Sequence, residues 1–344
     1  MDFLEVDGSY GEGGGQILRT ALMFSIVLGK PIRVSKIRAG REVPGLRRQH
    51  VATLKVLGDI FESELTGAVE GSSDVSFVPG PPRLGSLMID TKTAASITLV
   101  LQTVVPAVAL SRSSLSIELR GGTDVPWSPT FDYFDAVVRR AFAVMGINFN
   151  DEVRRRGYYP KGGGLVKVEV EPCVSLRPLR MIDSPKPGPV DIVSRCALLP
   201  RSVAERQLKA AEGLLREGGI NVGVSRVVEE PADSPGSSIL VATSGDGYFL
   251  GADALGARGK PAEEVGREAA QGMLATTAAG ACVDTNLADM LVPLLSLAPG
   301  PSDLRVAEVS KHLETSIYVA KLFTSRGINT RSDAGSSVVS IASA

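Results

Sequence analysis

Histidine is rare in this sequence, and one of its two histidines lies where an imidazole can do chemistry. His312 falls within residues 310–315, Ser-Lys-His-Leu-Glu-Thr, at the predicted start of an amphipathic helix. Backbone N–H groups and the positive end of the helix dipole attract anions to such a position. The sequence therefore offers His312 as a nucleophile toward a phosphate, and the alternative is a surface or half-buried histidine without a chemical role.

A glycine-rich loop precedes the first predicted helix. Residues 7–16 read Asp-Gly-Ser-Tyr-Gly-Glu-Gly-Gly-Gly-Gln, and a backbone so free of side chains can approach a phosphate closely. This loop is not a Walker motif, because no Gly-Lys-Ser/Thr follows it. Within it, Glu12 is a candidate oxygen ligand for Mg²⁺ or Mn²⁺, and a flexible turn with a solvated glutamate is the alternative.

Basic residues are concentrated just after the first helix. Between positions 33 and 48 only one acid, Glu42, opposes a set of six cations: Arg33, Lys36, Arg38, Arg41, Arg47 and Arg48. Guanidinium groups bind phosphates through paired hydrogen bonds, so this segment is a candidate site for a nucleotide or an RNA terminus. A charged, solvated strand edge is the alternative.

Two neighbouring features have plainer interpretations. The triplet of arginines at residues 154–156 is interpreted as a solvated loop. His50 begins the helix that follows the basic segment, and we interpret it as a packing or capping residue, with phosphate binding as the alternative.

Several polar and aromatic side chains stand in apolar surroundings. Gln102 lies on an otherwise apolar helix, where a buried amide needs partners, so it is either a structural bridge or a ligand contact. Trp127, Phe131 and Tyr133 can frame a base, although an aromatic loop that packs on its own core is more usual. Asp289 is interpreted as a carboxylate that caps the first turn of its helix.

The composition is that of a globular protein with little overall charge. Its 344 residues, 44% of them hydrophobic, suffice for two domains or one domain with an insertion. The 37 basic and 38 acidic residues nearly cancel, which excludes a global field that recruits nucleic acid. The isolated Cys173, Cys196 and Cys282 argue against a disulfide framework and structural zinc. Without a signal-peptide pattern or an unbroken apolar span, we expect a cytoplasmic protein with no membrane partner.

Apolar periodicity predicts a repeated α/β fold. The order helix, strand, helix, strand recurs from near residues 15, 95 and 287, which indicates three related modules around a common core. Glycines at Gly146, Gly219 and Gly327 are predicted to end helices.

A proline-rich stretch over residues 178–189 indicates a domain boundary. We expect a large catalytic domain of residues 1–183 and 278–344, and an inserted smaller α/β domain of residues 184–277. The insert is predicted to hold strands at residues 190–194, 222–228, 239–243 and 248–251, and helices at residues 202–215 and 263–277.

Taken in chain order, several long segments resemble signatures of the RNA 3′-terminal phosphate cyclase family. They are residues 7–19, residues 37–41 with 44–46 and 49–50, and residues 157–164. The resemblance implies that family's fold, an α/β architecture of the α+β sandwich type. In it, three modules of two helices on a four-stranded sheet are joined to a smaller inserted α/β domain.

The same resemblance implies an ATP-dependent mechanism. His312 attacks the α-phosphorus of ATP, releases pyrophosphate and holds AMP as a phosphoramidate. The adenylyl group then passes to the 3′-phosphate of an RNA, and the neighbouring 2′-hydroxyl displaces AMP to close a 2′,3′-cyclic phosphate.

The resemblance also implies site residues. Glu12 holds Mg²⁺ or Mn²⁺, and the phosphate contacts come from Arg19, Arg38, Arg41 and Gln49. The ATP pocket is implied to be lined by Gln102, Pro129, Tyr133, Asn286, Leu287, Ala288, Asp289 and Met290. The chain departs from the family pattern at residues 91–96, Asn286 and Met290, but not at His312 or Glu12.

Three other functions fit parts of the sequence. A non-catalytic member of the family would act in ribosomal RNA processing, which His312 and Glu12 argue against. An enolpyruvyl transferase would also use repeated modules with basic anion sites. A plain RNA-binding scaffold would use residues 33–48 and would bind RNA regardless of its 3′ end.

Overall fold

The computed structural model describes residues 2–11, 14–183, 188–245 and 247–343. Three of its four-stranded sheets share one strand order: first, second, fourth, third. In each of these sheets the first two strands pair in parallel, and the fourth strand pairs antiparallel with the second and the third. The predicted repeat of helix and sheet modules is therefore confirmed.

Modules one and two follow each other along the chain. Module one consists of β1 (Leu4–Asp7), α1 (Gly15–Leu28), β2 (Ile32–Ser35), α2 (Arg48–Ile60), β3 (Glu64–Thr66) and β4 (Val75–Val78). Module two consists of β5 (Gly85–Asp90), α3 (Ile97–Leu110), β6 (Leu115–Gly121), α4, β7 (Phe149–Arg155) and β8 (Gly164–Val170). Helix α4 has three consecutive segments, Phe131–Tyr133, the π-helical Phe134–Arg139 and Arg140–Val144.

The first strand of module three, β9 (Arg180–Met181), is followed by an inserted unit. This unit consists of β10 (Val190–Ala197), α5 (Ser202–Glu217), β11 (Val222–Glu229), β12 (Gly236–Thr243), β13 (Gly251–Leu255) and α6 (Ala262–Ala278). Its strand order, β11-β10-β12-β13, differs from that of the three modules. Residues 184–187, at the predicted boundary, lie outside the described residues, and the domain limits 184–277 stay a prediction.

Module three then continues after the inserted unit. Its remaining elements are α7 (Thr285–Leu295), β14 (Ser302–Val306), α8 (Lys311–Phe323), β15 (Ile328–Asp333) and β16 (Ser336–Ile341). In the described part of the chain, no helix is both long enough and apolar enough to cross a membrane.

Several element boundaries differ from the prediction, and two of these differences have a local cause. The last strand of the insert begins at Gly251 and not at residue 248, because Thr243 and Leu250 close a turn through their backbones, with a 2.9 Å bond from the Thr243 N–H. Helix α8 ends at Phe323, well before Gly327, because Thr324 is already extended with φ −124°. Gly146 and Gly219 do end helices, with φ 92° and 77°.

Helix α1 packs against helices of both other modules, α3 and α8. Gln16 Nε2 donates to Ser316 Oγ at 3.0 Å, and further along both helices the rings of Phe24 and Phe323 stack with their centroids 5.0 Å apart. Because both contacts advance in the same direction, α1 and α8 run in parallel. The starts of these two helices therefore lie at the same end of the shared core.

Candidate active site

His312 stands at the open start of helix α8. The Ser310 side chain caps this helix by accepting a hydrogen bond from the Leu313 N–H at 3.1 Å, so His312 is the second helical residue. Its side chain is exposed and lines a cavity of about 600 Å³. The predicted position of His312 at the start of a helix is confirmed.

The same cavity gathers residues from all three modules and from the inserted unit. Six of the side chains predicted by resemblance line it besides His312: Arg19, Gln102, Pro129, Asn286, Asp289 and Met290. Helices α1, α3 and α7 supply five of these, so the walls are mostly rigid helical elements. Gln102 Nε2 is buried and makes no hydrogen bond with any described residue, which leaves a donor available at this wall.

Helix periodicity divides the segment predicted on α7. Asn286, Asp289 and Met290 line the cavity, whereas Leu287 and Ala288 are fully buried in the core. Residues three and four positions apart share one helix face, so a continuous run of five cannot all face a ligand. Leu287 and Ala288 therefore support the wall from behind.

Tyr133 also lies behind the wall. Its side chain is fully buried, and its hydroxyl donates to Asp284 Oδ1 at 2.7 Å. The same carboxylate accepts from the Leu287 N–H at 2.9 Å and caps helix α7. The interpretation of Asp289 as the cap was therefore wrong, because Asp284 has that place and Asp289 lies beyond the first turn.

The glycine-rich loop crosses the first turns of α8 on its way to α1. Tyr10 stacks on Tyr318 with ring centroids 3.9 Å apart. Gly11 takes a left-handed φ of 61°, and a Cβ there would lie 2.6 Å from Thr315 Oγ1, so only glycine fits. The loop is thus held against the His312 helix. Glu12, the predicted metal ligand, lies outside the described residues.

Helix α1 begins without a side-chain cap. Gly14 occupies the N-cap position, so the first N–H groups of the helix are not occupied by a capping side chain. Arg41 and His50 lie against this start: a Cβ at Gly14 would lie 3.6 Å from Arg41 Nη2, and one at Gly15 would lie 2.5 Å from His50 Nε2. This arrangement of N–H groups and basic side chains suits an anion.

Arg19 and Asp289 form an electrostatic pair in the wall of the cavity. Arg19 Nη2 donates to Gln16 Oε1 at 3.1 Å, so Gln16 joins Arg19 to Ser316 one turn after His312. Burial lowers the pKa of Arg19 to about 10, and Asp289 opposes that shift. Burial raises the pKa of Asp289 to about 8, with Arg19 opposing and Asp284 adding to the rise. Asp289 therefore takes up a proton more readily than an ordinary aspartate.

Five basic side chains surround the start of α1, and we name them the cationic cluster: Arg19, Arg38, Arg41, Arg47 and His50. His50 Nδ1 accepts a hydrogen bond from the Arg47 backbone N–H at 3.0 Å, which confirms the capping interpretation. Burial first, and then Arg19, Arg38 and Arg47, lower the pKa of His50 to about 3. His50 is therefore neutral, and its Nε2 carries the hydrogen that points toward the loop.

Arg38 has like charges as neighbours in this cluster. Burial, followed by Arg41 and Arg47, lowers the pKa of its guanidinium. None of the ion pairs in the described part of the chain involves Arg19, Arg38 or Arg47. The charges that act on Arg38 are thus positive, which favours a bound anion at this position.

The remaining basic residues of segment 33–48 face solvent and are paired. Arg33 lies 3.5 Å from Glu5, Lys36 lies 3.6 Å from Asp7, and Arg48 lies 3.2 Å from Glu70. These three match the alternative of a charged surface. Gln49, the second residue of α2, is half-buried next to His50, and its phosphate contact stays a prediction.

The arginine triplet at 154–156 is not a solvated loop. Arg154 and Arg155 lie on β7, and Arg156 follows them with only 4% of its surface exposed. Arg156 belongs to a set that we name the buried ion-pair network: Asp124, Asp132, Arg156, Arg195 and Glu230. Three carboxylates pair with the Arg156 guanidinium, and this pairing allows Arg156 to be buried although it belongs to a polar triplet.

Two cavity residues gave little signal in the sequence. Asp253 comes from the inserted unit, and its Oδ2 accepts the Thr130 N–H at 2.6 Å. Trp127 was noted only as one of several aromatic residues, yet it is 97% exposed while Phe131 and Tyr133 are buried. In the described residues, no group of three or more His, Cys, Asp or Glu side chains is placed to hold a metal ion.

Known proteins of one family are similar to this chain over nearly its whole length. A family profile described as RNA 3′-terminal phosphate cyclase matches residues 10–330. The chain is 44% identical over 333 residues to an RNA 3′-terminal phosphate cyclase of Caldivirga maquilingensis, covering 95% of this chain and 94% of that protein. It is also 44% identical over 340 residues to the protein of that name from Thermococcus gammatolerans, covering 97% and 96%. The chain therefore belongs to the RNA 3′-terminal phosphate cyclase family.

Proposed function

We propose that this protein is an ATP-dependent RNA 3′-phosphate cyclase that works through a covalent histidine-AMP intermediate. The observation that carries the proposal is one shared cavity. His312, exposed at the start of α8, lines it together with Arg19 and with the Asn286, Asp289 and Met290 face of α7. A nucleophile, a phosphate ligand and a nucleotide-sized space thus stand together.

The first step is adenylylation of His312. The phosphates of ATP bind between the uncapped start of α1 and the cationic cluster, where N–H groups and guanidinium groups balance their charge. An imidazole nitrogen of His312 attacks the α-phosphorus, the bond to the β-phosphate oxygen breaks, and pyrophosphate leaves. Gln16 positions Arg19 and the His312 helix relative to each other, because it bonds both Arg19 and Ser316.

The second and third steps make the cyclic end. An oxygen of the RNA 3′-phosphate attacks the phosphorus of the histidine-bound AMP, which frees His312 and forms an RNA-adenylate. The 2′-hydroxyl then attacks the 3′-phosphorus, loses its proton and expels AMP. The phosphate monoester has become an activated anhydride, and the attacking hydroxyl is held on the same ribose, so the ring closes with an intramolecular advantage.

A divalent cation belongs to this proposal as an electrostatic aid. One carboxylate, from Glu12, together with phosphate oxygens of ATP is an oxygen donor set that suits Mg²⁺ or Mn²⁺. When bound, the ion would neutralise part of the phosphate charge.

Labelling with ATP tests the nucleophile directly. Incubation with ATP labelled at the α-phosphate and a divalent cation should give a covalent label on wild-type protein and none on His312→Ala. Since the chain holds two histidines, proteolysis must assign the label to the peptide of His312 and not to that of His50. An unlabelled wild type, an equally labelled His312→Ala, or a label on His50 would refute the mechanism.

RNA completes the test. Adding an RNA with a 3′-phosphate should discharge the label as AMP and produce a 2′,3′-cyclic end, whereas an RNA with a 3′-hydroxyl should not. A scaffold without activity would bind both RNAs, but it would release no AMP and produce no cyclic end with either of them.

A further inference from the structure

A second cavity adjoins the one that holds His312. It has a volume of about 870 Å³ and lies between module two and the inserted unit. The two cavities share the wall formed by Pro126 and residues 255–257. A chain that occupies the first cavity can therefore continue into the second.

Trp127 stands next to this shared wall. Its side chain is 97% exposed, and its backbone has φ 62°, a region that costs a bulky residue energy. The residues on either side are fixed: Ser128 Oγ donates to the Val125 carbonyl at 2.8 Å, and Thr98 Oγ1 donates to the Pro129 carbonyl at 2.9 Å. The loop thus holds a large apolar ring in water instead of burying it.

The second cavity carries further groups of the kind that bind single-stranded nucleic acid. Tyr159, 65% exposed, and the basic residues Arg206, Arg258 and Lys260 line it. Arg206 lies 3.4 Å from Glu263, and Lys260 is paired with Glu268. Arg258 is exposed and forms no ion pair with a described residue. An exposed cation and exposed aromatic rings along one groove form a stacking and phosphate-binding track.

We propose that Trp127 is a stacking platform for a base of the substrate RNA, and that the strand leading to the 3′ end runs through the second cavity past Arg258. The inference rests on the proposed function for its choice of RNA as ligand. Trp127 lines only the first cavity, but it follows Pro126, which lines both, so a strand that passes from one cavity into the other passes beside the indole.

The chain offers a direct probe, since Trp127 is its single tryptophan. Titration of the protein without ATP with a short RNA bearing a 3′-phosphate should quench the intrinsic fluorescence, because a base stacks on the indole. In a series with one abasic nucleotide at successive positions, one position near the 3′ end should abolish the quenching. Unchanged fluorescence at saturation, or quenching by ATP alone as deep as that by RNA, would overturn the assignment.

Affinity gives a second readout that does not depend on the indole signal. Measured by anisotropy with 5′-labelled RNA, Trp127→Ala should weaken binding by about 10-fold, and Trp127→Phe should recover most of the loss. The matched control is Met88→Ala, which removes a side chain that is 77% exposed on β5 outside both cavities. Equal affinities of Trp127→Ala and wild type would contradict the proposal.

The path of the strand is tested with paired arginine variants. Arg258→Ala should weaken RNA binding. The number of phosphate contacts inferred from the salt dependence of the affinity should also fall by about one. Arg331→Ala, an exposed arginine on β15 that lines neither cavity, removes the same charge and should change neither. An equal loss in both variants would show general charge attraction and overturn the path.

These tests and the labelling of His312 fail independently. A labelled His312 without RNA quenching of Trp127 would remove only the stacking platform. Quenching by RNA without any label on His312 would leave the RNA track in place and refute the cyclase mechanism.

Discussion

Two groups of arginines in this protein have opposite surroundings. The cationic cluster at the start of α1 crowds like charges, so the pKa of Arg38 is lowered by burial and by Arg41 and Arg47. In the buried ion-pair network, burial also works against the charge of Arg156. There, however, Asp124, Asp132 and Glu230 raise its pKa above the ordinary value.

The difference separates binding from architecture. The network joins module two to the inserted unit: Asp132 bridges Arg156 at 2.7 Å and Arg195 of β10 at 2.6 Å, and Glu230 reaches both arginines. Its charges all have oppositely charged partners within the protein, while Asp124 Oδ1, Arg156 Nε and Glu230 Oε1 make no hydrogen bond with a described residue. In the cationic cluster, the charges that shift the pKa of Arg38 and of His50 are all positive, which is the electrostatic state expected of a phosphate site.

The largest effect should come from breaking the network. Arg156→Met leaves Asp124 without its cation and leaves Asp132 and Glu230 with Arg195 alone, so the free energy of unfolding should fall by about 3–5 kcal/mol. Urea denaturation followed by circular dichroism measures it. The control is Arg154→Met on β7, whose side chain is 42% exposed and should lose no more than about 1 kcal/mol. Equal losses of unfolding free energy in Arg156→Met and Arg154→Met would contradict a structural role for the buried ion-pair network.

Removing a member of the cationic cluster should affect chemistry and not folding. Arg19→Ala should slow adenylylation of His312 by about 100-fold, because a donor to the developing phosphate charge is lost. Its stability should change little, since Asp289, with a pKa of about 8, can stay neutral without it. Rapid-quench labelling measures the rate, with Arg33→Ala, a surface ion pair with Glu5, as the control. A stability loss as large as that of Arg156→Met would contradict the comparison.

The pH dependence of stability tests whether His50 is buried beside the arginines of the cationic cluster. The pKa of His50 falls from 6.5 in the unfolded chain to about 3 in the folded protein, so between these values only the unfolded chain binds the proton. Stability is therefore present above pH 6.5 and is lost as the pH falls through that window, at up to about 1.4 kcal/mol per pH unit.

His50→Gln keeps a capping side chain at the third position of α2 but removes this proton. Its unfolding free energy relative to wild type should therefore rise as the pH is lowered from 6.5. Denaturation curves at several pH values give that difference, and a difference that stays constant with pH would mean that His50 is not buried beside the arginines.

The smallest effect concerns free anions. Inorganic phosphate at about five times its dissociation constant should raise the stability of wild type by about 1 kcal/mol, because it binds only the folded cationic cluster. Arg38→Ala should lose this gain, whereas Arg154→Met should keep it. Thermal melts in phosphate and in potassium chloride of equal ionic strength make the measurement, and an equal gain in both variants would point to a nonspecific salt effect.

Much of the site could be predicted because its parts are local in the chain. The glycine-rich loop and the position of His312 at a helix start follow from short-range patterns. The run of residues 286–290 came from the family resemblance, and only Asn286, Asp289 and Met290 of that run line the cavity. The six basic residues of segment 33–48 were predicted as one candidate site, but only some of them belong to the cationic cluster. Arg33 alternates to the outer side of β2, and Arg48 meets Glu70, a partner that comes from another part of the chain.

Arg156 shows the limit of such reasoning most clearly. Three consecutive arginines are typical of a solvated surface, and nothing nearby in the sequence reveals Asp124 or Glu230 as partners. Trp127 and Tyr133 present the same difficulty: both are aromatic residues of one segment, yet one is exposed and the other buried.

The sequence by itself determined where helices begin and end and which face of each element is buried. Ser310 caps its helix, Gly146 and Gly219 end theirs, and apolar periodicity chooses the buried face, because each depends on residues a few positions apart. Only the tertiary structure decided which charges meet. The parallel packing of α1 and α8 brings the loop to His312, and the contact between module two and the inserted unit buries Arg156, since both depend on long-range burial that leaves no local trace.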